Sequence, residues 1–84
     1  MVSRNFELSI HALDMLDERL IPEEWVMLAI DSFDRTEVDP DNNVHYIKSA
    51  PEFDDRILRV IVNPHRTPNL IVTFFFDRRL RMTS

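Results

Sequence analysis

The stretch from Leu70 to Asp77 limits most strongly what this chain can fold into, because no other stretch is as long and as apolar. It contains no glycine or proline, and most of its side chains are β-branched or aromatic, which favours a strand. A membrane-spanning helix needs about 20 apolar residues, far more than this run provides. The sequence therefore predicts a buried central strand at this position.

Side chains alternate between the two sides of a strand, so this stretch presents two different surfaces. One set is wholly apolar and is expected in a core beneath helices: Leu70, Val72, Phe74 and Phe76. The other set is mixed and is expected on a more open face: Ile71, Thr73, Phe75 and Asp77.

The chain has 84 residues and is predicted to form one domain, 1–84. Its hydrophobic fraction of 44% and charged fraction of 30% are typical of a soluble globular protein. It contains no cysteine, which excludes disulfides, thiolate metal sites and a cysteine nucleophile. The N-terminus does not resemble a signal peptide, so we expect a cytoplasmic protein without membrane contact.

Charge is divided unevenly along the chain, with a net charge of −8 in residues 1–43 and +3 in residues 44–84. The basic half could bind an anion, although a solvated surface without a partner is the simpler interpretation. Glycine is absent, so turns that need a positive φ must use Asn or Asp. The candidates for these positions are Asn42, Asn43, Asp54, Asp55 and Asn69.

Two helices are predicted after a short opening strand at 6–8. Ser9 is the expected N-cap of the first helix. Its buried stripe is predicted to hold Ala12, Leu13, Leu16 and Leu20, and a second stripe at the border with solvent holds His11, Met15 and Arg19. Pro22, followed by acidic residues, is expected to start the second helix, which ends between positions 31 and 33.

The remaining chain is predicted to be an acidic loop at 34–43 and then three strands joined by hairpins, at 44–49, 56–62 and 70–77. The hairpin between the first two of these strands carries an apolar anchor at Phe53. Helices that precede an antiparallel meander should pack together on one face of it. The expected fold class is α+β: a short strand, two helices and a three-stranded antiparallel meander.

The open face of this sheet is the first candidate site. Placing Leu58, Val60 and Val62 in the core puts Arg59 on the open face, and burying Ile47 would put Tyr46 and Lys48 beside it. A tyrosine, a lysine and an arginine together could bind a phosphate and stack a base. The alternative is cross-strand polar pairing without a ligand.

The same face is predicted to carry a contiguous apolar patch, which a soluble monomer rarely leaves exposed. The patch consists of Ile57, Ile61, Ile71 and Phe75. A partner protein, a second copy of the chain or the C-terminal tail could cover it.

Histidines and serines provide little evidence for other chemistry. His11, His45 and His65 lack the spacing of helical metal ligands, so no metal and no cofactor are expected. No serine lies in a nucleophile-elbow context, and a glycine-rich phosphate loop is impossible without glycine. His11 could act as a general acid or base, or could bond to backbone. Arg78, Arg79 and Arg81 could contact phosphates or form a solvated tail.

The segment from Ser9 to Glu24 resembles a family of small bacterial proteins of the DUF4258 type. The resemblance is carried by Ser9, His11-Ala12, Met15, Arg19, Ile21 and the following acidic helix start. Residues 58–63 and 71–79 also look like the last two strands of that family. The family is in turn similar, in the order of its elements, to the RelE/ParE and BrnT toxins of bacterial toxin–antitoxin pairs.

The resemblance implies a RelE-like fold and a ribonuclease that an antitoxin protein neutralises. It implies His11, Tyr46 and Lys48 as candidate catalytic residues, acting by general acid–base chemistry. It implies contacts with RNA by Arg19, Arg59 and Arg79, and Arg78 of the basic tail is a further candidate for nucleic-acid binding. The alternative function is a non-catalytic protein-interaction module, or a homodimer, that uses the open sheet face. The isoelectric point of about 5.0 is low for an RNA-binding domain.

Overall fold

The computed structural model describes residues 6–18 and 21–80 of the chain. Within these two ranges there are five strands, two α-helices and one short 3₁₀ helix. The elements are β1 (Phe6–Leu8), α1 (Ile10–Glu18), α2 (Glu23–Asp31), β2 (Arg35–Val38), β3 (Val44–Ser49), the 3₁₀ helix (Pro51–Phe53), β4 (Ile57–Asn63) and β5 (Asn69–Phe76).

The described strands form one mixed sheet in the order β1-β5-β4-β3-β2. β1 pairs with β5 in parallel, and the other pairs are antiparallel. The α+β class is confirmed. The sheet is wider than the expected three-stranded meander, because β1 and β2 extend the antiparallel strands β3, β4 and β5 on either side. Residues 35–38 were assigned to an acidic loop, but they pair with β3 as the first strand of a hairpin.

The turn between β2 and β3 is built around one carboxylate. Asp39 accepts hydrogen bonds from the backbone N–H groups of Asp41 at 2.9 Å and Asn43 at 3.0 Å. Asn42, between them, has a φ of 66°. This local bonding explains why an acidic sequence containing Pro40 returns directly into a strand.

Asn and Asp supply the left-handed backbone that glycine supplies in most proteins. In the part of the chain that the structure describes, positive φ angles occur at Asn42, Asp54 and Asp55. The prediction is confirmed for these three positions and wrong for Asn43 and Asn69. Asp54 ends the 3₁₀ helix in this conformation, and its backbone N–H donates to the carbonyl of Pro51.

Both helices pack on one face of the sheet, which we call the helix face; the opposite side is the open face. The fully buried side chains between the helices and this face come from Val26 of α2 and from Leu58, Val60, Val62 and Phe74 of the sheet, among others. The prediction that Val60 and Phe74 lie beneath the helices, with Arg59 on the other side, is therefore confirmed. Phe53 anchors one end of this core, its ring centroid 5.0 Å from that of Trp25.

A β-bulge interrupts the alternation of β5. Thr73 lies opposite Ile61, but Ile71 lies opposite Val62, so Val72 is an extra residue on this strand. Ile71 consequently turns into the core, where it is 1% exposed. Its predicted place on the open face is wrong, and so is the predicted burial of Leu70 and Val72 in place of Ile71.

Ser9 connects this bulge to helix α1. Its hydroxyl accepts a hydrogen bond from the backbone N–H of Ala12 at 2.9 Å, which confirms the predicted N-cap. The same hydroxyl donates to the carbonyl oxygen of Val72 at 2.8 Å. One side chain therefore satisfies a helix terminus and the irregular part of β5.

Helix α1 is rotated relative to the prediction. Ala12 and Met15 are buried, whereas Leu13 is half exposed. The predicted burial of Leu13 is wrong because the inward line of the helix runs through positions 12, 15 and 16. Leu20 and Arg19, which the prediction placed on the same helix, lie outside the described residues.

Candidate functional site

The open face carries a polar network centred on Arg59 in the middle strand β4. The register places Arg59 between Ile47 of β3 and Phe75 of β5. Glu37 of β2 lies opposite His45 of β3 on the same face. Four adjacent strands therefore contribute to one continuous surface.

Arg59 is 7% exposed, and its guanidinium is held by three side chains. Its Nε donates to Oδ2 of Asp77 at 2.9 Å. Its Nη1 donates to Oε1 of Glu37 at 3.2 Å and to Nδ1 of His45 at 2.9 Å. A buried cation is thus balanced by two carboxylates, as the high cost of burying an unpaired charge requires.

His45 has a defined tautomer because of its two neighbours. Its Nδ1 accepts from Arg59, so the proton of the neutral ring is assigned to Nε2. Nε2 lies 2.9 Å from Oδ2 of Asp39 and donates to it. This hydrogen bond is the main reason why the pKa of Asp39 is below its usual range, with the backbone bonds from Asn43 and Asp41 adding to the effect.

Asp77 joins the network to the chain beyond β5. Its carboxylate accepts from the backbone N–H of Arg79 at 3.0 Å and from Nε and Nη2 of the same residue, each at 3.2 Å. The hydrogen bonds from Arg79, followed by the bond from Arg59, lower the pKa of Asp77 to about 2. Asp77 is therefore ionised at pH values above about 4.

The network, made of Glu37, Asp39, His45, Arg59, Asp77 and Arg79, leaves little free bonding capacity. Among the described residues, every buried side-chain nitrogen or oxygen has a hydrogen-bond partner. A phosphate at Arg59 would have to displace the carboxylate of Asp77 or Glu37. The arrangement therefore resembles a structural ion-pair network more than an anion-binding site.

Tyr46 and Lys48 lie on the helix face, so their predicted place beside Arg59 is wrong. Tyr46 is opposite Val60 and Lys48 is opposite Leu58, both of which are core residues. Ile47 is indeed buried, but by its neighbours on the open face. Side chains on both faces of β3 are at least partly buried, so the burial of Ile47 does not indicate which face of the strand lies beneath the helices.

The surroundings of Tyr46 and Lys48 are structural. The ring of Tyr46 packs edge-on against Phe33, with 5.4 Å between the centroids. Nζ of Lys48 lies 3.7 Å from Oδ1 of Asp34. The second oxygen of Asp34 accepts from the backbone N–H and the hydroxyl of Ser49, which lowers its pKa. These contacts fasten the start of β2 to the end of β3.

The other candidate residues are dispersed. His11 is exposed on α1, which packs against β1 and β5, two strands away from Tyr46 and Lys48 on β3. Arg78 is exposed, and Arg79 is exposed although it is bonded to Asp77. Arg19 and Arg81 lie outside the described residues. The candidate catalytic residues His11, Tyr46 and Lys48 are therefore not brought together.

The expected apolar patch on the open face is also wrong as a continuous surface. Ile71 is in the core, Ile57 is buried, and Ile61 and Phe75 are half-buried beside the polar network. The large apolar side chains that are most exposed among the described residues lie elsewhere. They are Ile10 and Leu13 on α1, and Phe33 and Val38 near β2.

Sequence reasoning missed most of the network that the structure contains. Alternation put Asp77 and Arg59 on the same face, but their ion pair was not predicted from it. Glu37 and Asp39 were missed because their segment was interpreted as a loop. His45 was considered as a metal ligand, yet its partners come from the turn after β2 and from β4.

No group of three or more potential metal-ligating side chains occurs in 6–18 and 21–80, and no helix in these ranges is long and apolar enough to cross a membrane. Comparison of the chain gives no match to a protein-family model, to a curated protein or to a solved structure. The similarity to the RelE/ParE and BrnT toxins therefore stays a prediction from sequence.

Proposed function

We propose that this chain is a non-catalytic protein-interaction module that binds through the outer edge of strand β2. The observation that carries the proposal is the exposure of β2: all four of its residues, Arg35 to Val38, are exposed. Among the described strands, only β3 pairs with it. An edge strand of this kind can accept a further strand through its backbone.

The hydrogen-bonding pattern supports an available edge. The backbone N–H of Asp39 donates to the carbonyl of Asn43, the next position along the register that pairs Val38 with Val44. Bonded and non-bonded pairs alternate along an antiparallel ladder, so Glu37 and Arg35 bond to β3 in turn. Thr36 and Val38 then direct their N–H and C=O groups away from β3, toward the outer edge.

Apolar side chains flank this edge. Val38 is 65% exposed and Phe33, just before β2, is 46% exposed. Val38 lies on the helix face, because its partner Val44 is aligned with Val62 of the core. A bound strand would therefore gain apolar contacts in addition to backbone hydrogen bonds.

A ribonuclease has less support from the geometry. Its candidate phosphate ligand Arg59 is bonded to two carboxylates, and the candidate catalytic side chains of Tyr46 and Lys48 belong to the opposite face. General acid–base chemistry needs such groups within hydrogen-bond reach of one substrate. An interaction module makes no such demand.

The first test compares RNA cleavage with the effect of expression on growth. We expect the purified chain to leave labelled RNA intact, and its expression in a bacterial host to leave the growth rate unchanged. Cleavage that disappears in Lys48→Ala or in His11→Ala, while the thermal unfolding curve is retained, would favour the ribonuclease instead.

The second test addresses the edge itself. Thr36→Pro removes an outward N–H, and proline is accepted on edge strands. We expect this variant to lose the proteins, including untagged copies of the chain, that co-purify with the tagged protein. The matched control is Thr36→Val, which keeps the N–H and a β-branched side chain and should retain them. Equal co-purification by both variants would contradict a role for this edge.

A further inference from the structure

The outer edge of β2 is complementary to itself in charge. Arg35 and Glu37 both lie on the open face, separated by one residue, with Nη2 of Arg35 3.4 Å from Oε2 of Glu37. Both side chains are about half exposed. A second strand running in the opposite direction would present the same two charges in reverse order.

Symmetry restricts how two such edges can pair. Directly opposed residues of a continuous antiparallel sheet lie on the same face, so a two-fold axis between two copies must pass through one residue. An axis at Arg35 places arginine against arginine, and an axis at Glu37 places glutamate against glutamate. The axis at Glu37 also sets Arg35 opposite Asp39, but that carboxylate is already bonded to His45 and to the backbone of its turn. An axis at Val38 places Glu37 against Asp39. Each of these registers brings like charges together, which destabilises a strand pair.

An axis at Thr36 has the opposite effect. It places Arg35 of each copy opposite Glu37 of the other, so that two ion pairs of opposite charge form across the junction. We propose that two copies of this chain pair through β2 in the antiparallel register centred on Thr36. The inference rests on the proposed function in using the β2 edge and names the partner that this edge receives.

The backbone of β2 fits this register. Thr36 and Val38 are the residues whose N–H and C=O groups point outward, by the alternation described above. Thr36 then exchanges both hydrogen bonds with Thr36 of the second copy, and Val38 lies opposite Asp34, whose backbone N–H is already bonded to Ile47 of β3. The described five-stranded sheets of two copies would join into one sheet of ten strands.

Apolar burial favours the same arrangement. Pairing of Val38 with position 34 brings it next to Phe33 of the second copy, on the helix face of the joined sheet. These are two of the four large apolar side chains that are most exposed among the described residues. The dimer therefore removes from water the two that flank β2.

Cysteine cross-linking tests the register directly, since the chain contains no cysteine. Opposed residues of a hydrogen-bonded antiparallel pair have Cα atoms about 5.5 Å apart, within the range for a disulfide. Thr36→Cys should therefore form a covalent dimer under mild oxidation. In the matched control, Val38→Cys, the two sulfurs belong to residues about 13 Å apart along the strands and should not be joined.

Charge reversal provides an independent test by sedimentation equilibrium. Arg35→Glu and Glu37→Arg each convert two attractive pairs into repulsive ones, and each should weaken dimerisation about tenfold. A mixture of the two variants should recover association, because the heterodimer again has only opposite charges in contact. Glu37 also bonds to Arg59, so the thermal unfolding curve of Glu37→Arg is compared with that of the unmodified chain.

A chain that stays monomeric at all concentrations, with no disulfide at position 36, would overturn the dimer. Equal cross-linking at positions 36 and 38, or no recovery on mixing the charge variants, would overturn the register. Neither result bears on RNA cleavage. If a different protein co-purifies with the unmodified chain and with Thr36→Val but not with Thr36→Pro, the β2 edge is still a binding site. The failure of this inference is thus distinguishable from failure of the proposed function.

Discussion

Arg59 is the residue on which most of the open face depends. It holds together β2, β4 and the chain after β5 through Glu37 and Asp77, and it orients His45 of β3. Burial of two charges costs solvation free energy that their attraction only partly offsets. Removing one partner is therefore more harmful than removing both, because the remaining charge is left buried.

Substitution of Arg59 tests this asymmetry. We expect Arg59→Met to lower the free energy of unfolding by about 3–5 kcal/mol, because Asp77 stays buried and loses a partner. The double variant Arg59→Met with Asp77→Leu should regain part of this loss. Urea denaturation measures both. The control Arg79→Met alters an exposed side chain of the same carboxylate and should cost less.

Asp77 also determines part of the acid sensitivity. Its pKa is about 2 in the folded chain and 3.8 in the absence of structure. A group whose pKa is lowered by folding stabilises the fold above the unfolded value and loses that contribution as the pH falls through the folded value. We expect a loss of about 2 kcal/mol between pH 4 and pH 2.

Asp77→Asn separates this contribution from that of the other carboxylates. Asp34 and Asp39 also have lowered pKa values, so some acid destabilisation should persist in the variant. The dependence of the free energy of unfolding on pH should nevertheless be flatter below pH 4 than in the unmodified chain. An unchanged pH dependence would mean that Asp77 does not interact with Arg59 and Arg79 in solution.

At the scale of elements, the cap of α1 is coupled to the bulge of β5 by a single hydroxyl. We expect Ser9→Ala to lower the free energy of unfolding by about 1–2 kcal/mol, because the N–H of Ala12 and the carbonyl of Val72 both lose their partner. Ser9→Thr keeps the hydroxyl and should be closer to the unmodified chain. Hydrogen exchange at Ala12 should accelerate in Ser9→Ala alone.

The elements that sequence could predict are those with a clear periodicity. Both helices, and the strands β3, β4 and β5, follow from alternation or from helical spacing of apolar residues. Periodicity could not reveal β2, because all four of its residues are exposed and no apolar face alternates with a polar one. Its strand conformation comes from pairing with β3, which is a tertiary effect.

The side assignments failed where a local rule was interrupted. The bulge at Val72 has no glycine to mark it, so regular alternation put Ile71 on the wrong face. On β3, Ile47 is apolar and buried but lies on the open face, which reversed the assignment of Tyr46 and Lys48. The candidate phosphate site depended on this assignment and was lost with it.

At the scale of the whole molecule, acidic residues from the first half of the sequence contact basic residues from the second half in the described structure. Residues 1–43 are strongly acidic and residues 44–84 are basic, yet Glu37 and Asp39 from the first half bond to Arg59 and His45 from the second. The acidic segment at β2 serves as the counter-charge of the sheet. It leaves Arg35 and Glu37 at the outer edge with opposite charges.

Salt should act on association more than on the fold. The proposed pairs between Arg35 and Glu37 are exposed, and charges of this kind are screened by ions, whereas Arg59 and Asp77 are buried. We expect the dimer dissociation constant of the unmodified chain to rise when salt is increased from about 0.05 M to about 1 M. The free energy of unfolding, measured on the weakly dimerising variant Arg35→Glu, should change little over the same range of salt. Stronger association at high salt would indicate that apolar contacts alone join the copies.

The extra residue in β5 has one more consequence, which concerns chain length. Deleting Val72 would leave Ile71 directly before Thr73, and regular alternation would then keep Ile71 inside and Thr73 outside. The deletion would remove the carbonyl that receives the Ser9 proton and the half-buried side chain of Val72. We therefore expect a chain of 83 residues that lacks Val72 to form the same core. Deletion of a residue in the middle of β4 would instead move the side chains on one side of the deletion to the opposite face of the sheet.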